Sequence, residues 1–165
     1  MRWKIGLVAA LLLVATSVQA RAQATATLQG AWRVTEVVVT GANAETNTSP
    51  QPGLYLFMKK HYSLTTVNSM APRKNFGAAG DPNKLTDPEK IARFEVWDEF
   101  SANAGTYEVS GNTITAHPVV AKNPAVMGPA ITREFRIEGN TLTLIRKSAA
   151  GQPASVTTTK LTRVE

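Results

Sequence analysis

Residues 32–40 alternate between two faces, and this alternation constrains the fold more than any other feature of the sequence. Trp32, Val34, Glu36 and Val38 share one face, and residues 33, 35, 37 and 39 share the other. A period of two with many β-branched side chains predicts a β-strand. Since Trp32 is the largest side chain of that strand, we expect the strands that follow to cover it.

The rest of the chain repeats this kind of pattern. Short apolar or β-branched runs predict strands over residues 54–58, 62–68, 106–109, 113–120, 131–137, 141–145 and 156–164, and residues 41–52 are predicted as a loop. Ser110-Gly111-Asn112 and Glu138-Gly139-Asn140 are typical of hairpin turns. The sequence therefore predicts an all-β domain of eight hairpin-linked strands that closes into a barrel or a sandwich.

One amphipathic helix is expected between the third and fourth strands. Thr86-Asp87-Pro88-Glu89 supplies capping, first-turn and acidic residues that favour a helix start. Ile91, Phe94 and Trp97 follow at helical spacing. The helix is predicted to end near Asn103.

A series of motifs then resembles the bacterial exported lipocalin-like domains. Gly30-Ala31-Trp32 is similar to the lipocalin Gly-x-Trp signature, and Gly53-Leu54-Tyr55-Leu56-Phe57 resembles the second strand of that family. Motifs at residues 105–109, 113–117, 133–135 and 140–144 follow in the same order as in its second half. The resemblance covers about residues 28–164.

This resemblance implies an eight-stranded antiparallel up-and-down barrel of the lipocalin or calycin type, with a small-ligand cavity at its open end. It also implies a structural signature formed by Gly30, Trp32 and Arg163, in which the arginine lies over the indole ring. A guanidinium in that position stabilises an aromatic ring by about 0.5–2 kcal/mol.

The first 22 residues have the layout of a signal peptide, which leaves residues 23–165 as the lipocalin-like domain. A basic start is followed by an uncharged apolar run from Ile5 to Val18 and by small residues at Ala20 and Ala22. The run is too short to span a bilayer, which takes roughly 20 residues. We therefore expect export to the periplasm or secretion, with no stable membrane anchor after cleavage.

Composition removes several classes of function. The chain has no cysteine and two histidines, so disulfides and cysteine nucleophiles are excluded, and neither a metal site nor a cofactor is expected. Cleavage after Ala22 removes three basic residues and lowers the formal net charge from +6 to +3. The remaining bases are scattered, so nucleic-acid binding is not expected.

Two polar residues are candidates for proton transfer or for anchoring a ligand. Glu36 shares its predicted face with Trp32, so its carboxylate would point inward. A structural ion pair, or a bulge that turns it outward, is the alternative. His117 could donate or accept a proton near neutral pH. Its parity is opposite to that of Ile114 and Ala116, which favours the surface.

Arg133 and four aromatic residues complete the predicted ligand site. Arg133 shares parity with Phe135 and Ile137, so it would point inward, where a guanidinium could hold a carboxylate. A salt bridge at the rim is the alternative. The aromatic candidates for the wall or lid of the cavity are Tyr55, Phe57, Trp97 and Tyr107.

These observations leave three hypotheses for function. The first is an exported protein, monomeric or weakly dimeric, that binds a small hydrophobic or amphipathic molecule in its barrel. The second is an inert barrel that serves as an envelope interaction or structural protein. The third is an isomerase or cyclase on the same scaffold, although no catalytic residues are assigned because no nucleophile motif occurs.

Overall fold

A closed antiparallel barrel accounts for most of the residues that the structure describes. The computed structural model describes residues 27–78 and 80–165, and the predicted leader, residues 1–22, lies outside them. The strands are β1 (Gly30–Gly41), β2 (Glu45–Asn47), β3 (Leu54–Phe57), β4 (His61–Val67), β5 (Phe100–Ser110), β6 (Thr113–Ala121), β7 (Ile131–Glu138), β8 (Thr141–Lys147) and β9 (Ser155–Arg163). Helix α1 spans Asp87–Asp98.

Pairing of β1 with β9 closes the sheet. All strands other than β2 follow one another around the barrel, and each pairs antiparallel with its neighbours. The first residues of β1 pair with β3, whereas Val37–Val39 pair with β2, which lies outside the ring of eight. The eight-stranded antiparallel barrel predicted from the sequence is therefore present.

The predicted position and length of the helix are wrong. Residues 41–52 contain β2 as well as loop, so α1 follows the fourth strand and does not lie between strands 3 and 4. The helix ends at Asp98 instead of near Asn103, because β5 begins at Phe100 and pairs with β4 from there onward. Asn103 thus lies in strand β5, and its side chain faces the barrel interior.

Helix α1 packs loosely on the outside of the barrel. The Thr86 backbone N–H donates to the Glu89 carboxylate at 2.8 Å and holds the first turn in place. None of the helical residues that the structure describes is buried, and Ile91, Phe94 and Trp97 are all exposed. No helix among residues 27–78 and 80–165 is long and apolar enough to cross a membrane.

The core is densest at one end of the barrel, around Trp32. This side chain is fully buried, and its Nε1–H donates to the Leu28 carbonyl at 2.8 Å. Leu142 and Leu161 are fully buried as well. Arg163 lies over the indole, with its Cζ atom 4.1 Å from the ring centroid. This end of the barrel is closed, which leaves the opposite end for a ligand.

A β-bulge beside Gly105 fixes the close approach of β5 to β6. The register shifts between Ala104 and Gly105, and a Cβ atom at Gly105 would lie 2.0 Å from the His117 carbonyl oxygen. Only glycine permits that separation without a backbone movement. The extra residue is Val119 on β6, so the alternation of β5 is uninterrupted and Asn103 faces the same side as the buried Tyr107.

Candidate functional site

A cavity of about 430 Å³ occupies the open half of the barrel. Its apolar walls include Val34, Val37, Val39, Tyr55, Leu64 and Leu144. Polar side chains that reach it include Asn103, Arg133, Arg146, Thr157 and Thr159. Polar and apolar groups contribute about equally to the lining, so this cavity is more polar than most sites for small molecules.

Below this cavity the barrel is nearly filled. A second space of about 10 Å³ is lined by Tyr55, Phe57, Tyr62 and Arg133, among others, and it shares Tyr55 and Arg133 with the main cavity. The Phe57 and Tyr107 rings meet edge to face, with centroids 5.4 Å apart. Arg133 therefore stands at the floor of the cavity, between the open space and the packed core.

Glu36 does not line the cavity, contrary to the parity argument. Val34 pairs with Leu161 and Glu36 with Lys160, so Thr35 is an extra residue in a β-bulge. The bulge reverses the alternation of β1, so that Val37, not Glu36, follows Val34 in the wall. The Glu36 carboxylate instead pairs with the Lys160 ammonium at 2.8 Å.

His117, Trp97 and Tyr107 also lie apart from the cavity. His117 has the opposite parity to the buried Ala116, and it is absent from the lining. Trp97 is 53% exposed on α1, where its ring packs on Phe100 at 5.8 Å. Tyr107 is buried in the core, and its hydroxyl donates to the Met58 carbonyl at 2.6 Å.

The structure thus brings Tyr55, Phe57 and Arg133 together among the seven predicted ligand residues. The Arg133 side chain is partly buried. Within residues 27–78 and 80–165 it makes no hydrogen bond and no ion pair. A guanidinium in such a place is available to a ligand.

Tyr62 and Asn103 form a hydrogen-bonded pair near Arg133. The Tyr62 hydroxyl donates to Asn103 Oδ1 at 2.7 Å. Burial raises the pKa of the Tyr62 hydroxyl above its ordinary value of 10.0, and the positive charge of Arg133 opposes that rise. Tyr62 therefore stays a neutral donor at physiological pH, and the Asn103 amide N–H groups remain available to the cavity.

Charge is unevenly distributed along the cavity. Arg133 lies at the floor, and Arg146 lies on the exposed end of β8. Glu45 is the one acidic side chain in the described lining, and it belongs to the exposed strand β2 at the mouth. In the described part of the chain, no group of three or more histidine, aspartate or glutamate residues could hold a metal ion.

Sequence reasoning misses Asn103, Tyr62 and Arg146. The helical spacing before Asn103 places it at the end of a helix, and Ala104-Gly105 after it gives no strand signal. Tyr62 and Arg146 lie on predicted strands or next to them and share parity with apolar residues, so a complete parity count could find both.

Comparison with known proteins identifies one match. A family model described as a lipocalin-like domain matches residues 29–162, which include all the strands of the barrel except the last residue of β9. No curated protein and no solved structure matches the chain.

Proposed function

Because the chain belongs to the lipocalin-like domain family, we propose that it binds a small hydrophobic or amphipathic molecule inside its barrel. The cavity of about 430 Å³ is the observation that carries this proposal. Pockets for small molecules commonly measure about 300–1,000 Å³. An inert barrel would instead be filled by its own side chains, as the half around Trp32 is.

Apolar contact supplies one part of the proposed affinity. Val37 and Val39 on β1 and Leu144 on β8 offer branched side chains to the open space. Each Å² of apolar surface that a ligand removes from water contributes about 25 cal/mol. Thr157 and Thr159 add hydroxyl groups that can orient a polar atom of the ligand.

Export is part of the same proposal. The uncharged run Ile5–Val18 and the small residues at Ala20 and Ala22 support cleavage and transfer across a membrane. The protein would then meet its ligand in the periplasm or outside the cell. Amino-terminal sequencing of the processed protein tests this, and Leu12→Arg in the apolar run should leave an uncleaved chain in the cytoplasm.

An uncharged fluorescent naphthylamine probe tests binding in the cavity. Thr157→Trp fills the cavity, whereas Thr158→Trp changes a neighbouring threonine that is not part of its lining. Since forcing extra volume into an occupied space costs about 1–3 kcal/mol, Thr157→Trp should weaken the probe about tenfold or more. Thr158→Trp should leave its affinity unchanged.

The other two hypotheses predict different results. If the barrel is inert, Thr157→Trp will not weaken binding of the probe. It will also not remove any co-purified molecule that native mass spectrometry detects on the unmodified protein. The isomerase or cyclase hypothesis relies on Glu36 and His117. Because neither belongs to the cavity lining, no observation favours acid–base chemistry by these two residues there.

A further inference from the structure

Arg133 is a partly buried cation without an anionic partner among the described residues. Its strand neighbours Ile131 and Phe135 also face inward, so the side chain is directed into the barrel by the alternation of β7. Removing a charge from water is unfavourable unless an opposite charge or hydrogen-bond acceptors compensate. No side chain of the described protein compensates it, which leaves that role to water or to an anion that enters the cavity.

Asn103 adds hydrogen-bond donors to the same cavity from β5, which is separated from β7 by one strand. Because its Oδ1 atom accepts from the Tyr62 hydroxyl, the amide of Asn103 can offer the cavity only its N–H groups. Arg133 likewise offers only N–H donors. Tyr62 lines the space beneath Arg133, so it links Asn103, through their hydrogen bond, to the floor of the cavity.

Among the residues that the structure describes, no negatively charged side chain lies at the floor. Glu45, the acidic residue in the described lining, is on β2 at the mouth and is exposed. Two cations of the lining, Arg146 on the exposed end of β8 and Arg133 at the floor, would attract an anion that enters the cavity. Its apolar part would follow and lie against Val37, Val39 and Leu144.

We propose that the ligand is a small amphipathic carboxylate, bound with its carboxylate at Arg133 and Asn103 and its apolar part toward the mouth. The inference rests on the proposed function and names its ligand class. A planar guanidinium pairs with a planar carboxylate through two parallel hydrogen bonds. One arginine balances one negative charge, which favours a monoanion over a doubly charged phosphate.

Displacement of the uncharged naphthylamine probe by three molecules of equal chain length tests the ligand class. These are decanoate, decanol and decyl phosphate, each used below its aggregation concentration. Decanoate should bind the unmodified protein about 10–100-fold more tightly than decanol, because charge-assisted hydrogen bonds contribute more than neutral ones. It should also bind more tightly than decyl phosphate.

Variants locate the carboxylate. Arg133→Gln should weaken decanoate about 10–100-fold and leave decanol within about threefold. Arg136→Gln is the matched control, because Arg136 is on the same strand, is exposed and pairs with Glu138. Asn103→Asp keeps the acceptor for Tyr62 but replaces the amide donors with a negative charge, so it should also weaken decanoate and spare decanol.

Each contrary result rejects a different part of the proposal. Equal binding of decanoate and decanol, or equal effects of Arg133→Gln and Arg136→Gln, overturns the carboxylate assignment and leaves the proposed function intact. Tighter binding of decyl phosphate overturns the choice of carboxylate. Loss of affinity with Arg146→Gln but not with Arg133→Gln reverses the orientation and overturns the proposal. If none of the three molecules displaces the probe, the proposed function fails together with the inference.

Discussion

Arg163 on the last strand of the barrel contacts Trp32 on the first. The guanidinium of Arg163 lies over the indole ring, with Cζ 4.1 Å from its centroid, and it also donates hydrogen bonds to the carbonyls of Gln29 and Thr27. The two residues are paired across β1 and β9, the strands that close the barrel. The contact therefore combines closure of the sheet with cover for the largest buried side chain.

Arg163→Met should lower the free energy of unfolding by about 1–3 kcal/mol. The variant keeps an unbranched apolar stem but loses both the cation–π contact and the hydrogen bonds to the backbone carbonyls of Thr27, Gln29 and Glu165. Urea denaturation followed by circular dichroism measures the change. Arg163→Lys retains a positive charge without the planar guanidinium, so it should lower the free energy of unfolding less than Arg163→Met does. Affinity for the naphthylamine probe should be unchanged, because Arg163 is remote from the cavity lining. Weaker probe binding with no effect on stability would contradict this assignment.

Gly105→Ala should destabilise the protein by about 2 kcal/mol or more, because the added methyl group forces the backbone to move. The added Cβ would meet the carbonyl oxygen of His117 on the paired strand. Gly80→Ala is the matched control, since a methyl group there would have no atom within 4 Å and its backbone is not in the left-handed region. It should be neutral or slightly stabilising. Similar midpoints of urea unfolding for the two variants would refute the steric account.

Alkaline pH should destabilise the protein partly through Tyr107. Burial raises the pKa of its hydroxyl above the ordinary value of 10.0. The unfolded chain therefore loses this proton at lower pH than the folded one, so the stabilisation is complete below about pH 10 and is lost as pH rises through the folded pKa. One such group changes the free energy of unfolding by at most about 1.4 kcal/mol per pH unit.

Tyr107→Phe isolates this contribution. The variant loses the hydrogen bond to the Met58 carbonyl, so it starts less stable near pH 8. Its free energy of unfolding should then fall less steeply than that of the unmodified protein above about pH 10, where lysine titration is common to both. Parallel curves for the two proteins over this range would show that Tyr107 does not contribute to the alkaline transition.

The barrel is predictable from the sequence because strand alternation and hairpin turns are local signals. Arg133 can be placed inward by parity, since β7 pairs with β6 and β8 without a register shift. The direction of the Glu36 side chain cannot be predicted by parity, because the bulge at Thr35 depends on how β1 pairs with β9, which is distant in the chain. Periodicity likewise shows that Trp97 belongs to an apolar helix face, but not whether any other element covers that face.

Removal of the Arg133 charge should stabilise the protein while it impairs binding of an anion. Arg133→Leu replaces a partly buried, unpaired guanidinium with an apolar side chain beside Leu144. We expect the free energy of unfolding to rise by about 0.5–2 kcal/mol, the size of a typical stabilising substitution. Urea denaturation without ligand measures it. Arg136→Leu, on the exposed face, should change stability by no more than about 0.5 kcal/mol. Destabilisation by Arg133→Leu would mean that the guanidinium holds the fold together and is not available to a ligand.

Fluorescence quenching should distinguish the two tryptophans of the barrel domain. Trp32 is fully buried, whereas Trp97 is 53% exposed on the outer helix. Acrylamide should therefore quench Trp97 and leave Trp32 almost unaffected, and Trp97→Phe should abolish most of the quenchable emission. Phe94→Ala is the control, because it opens the same helix face without removing a fluorophore. If α1 closed over the cavity, saturation with decanoate would protect Trp97 from acrylamide. Because α1 buries none of its described side chains and Trp97 is absent from the lining, we expect its quenching to be the same with and without the ligand.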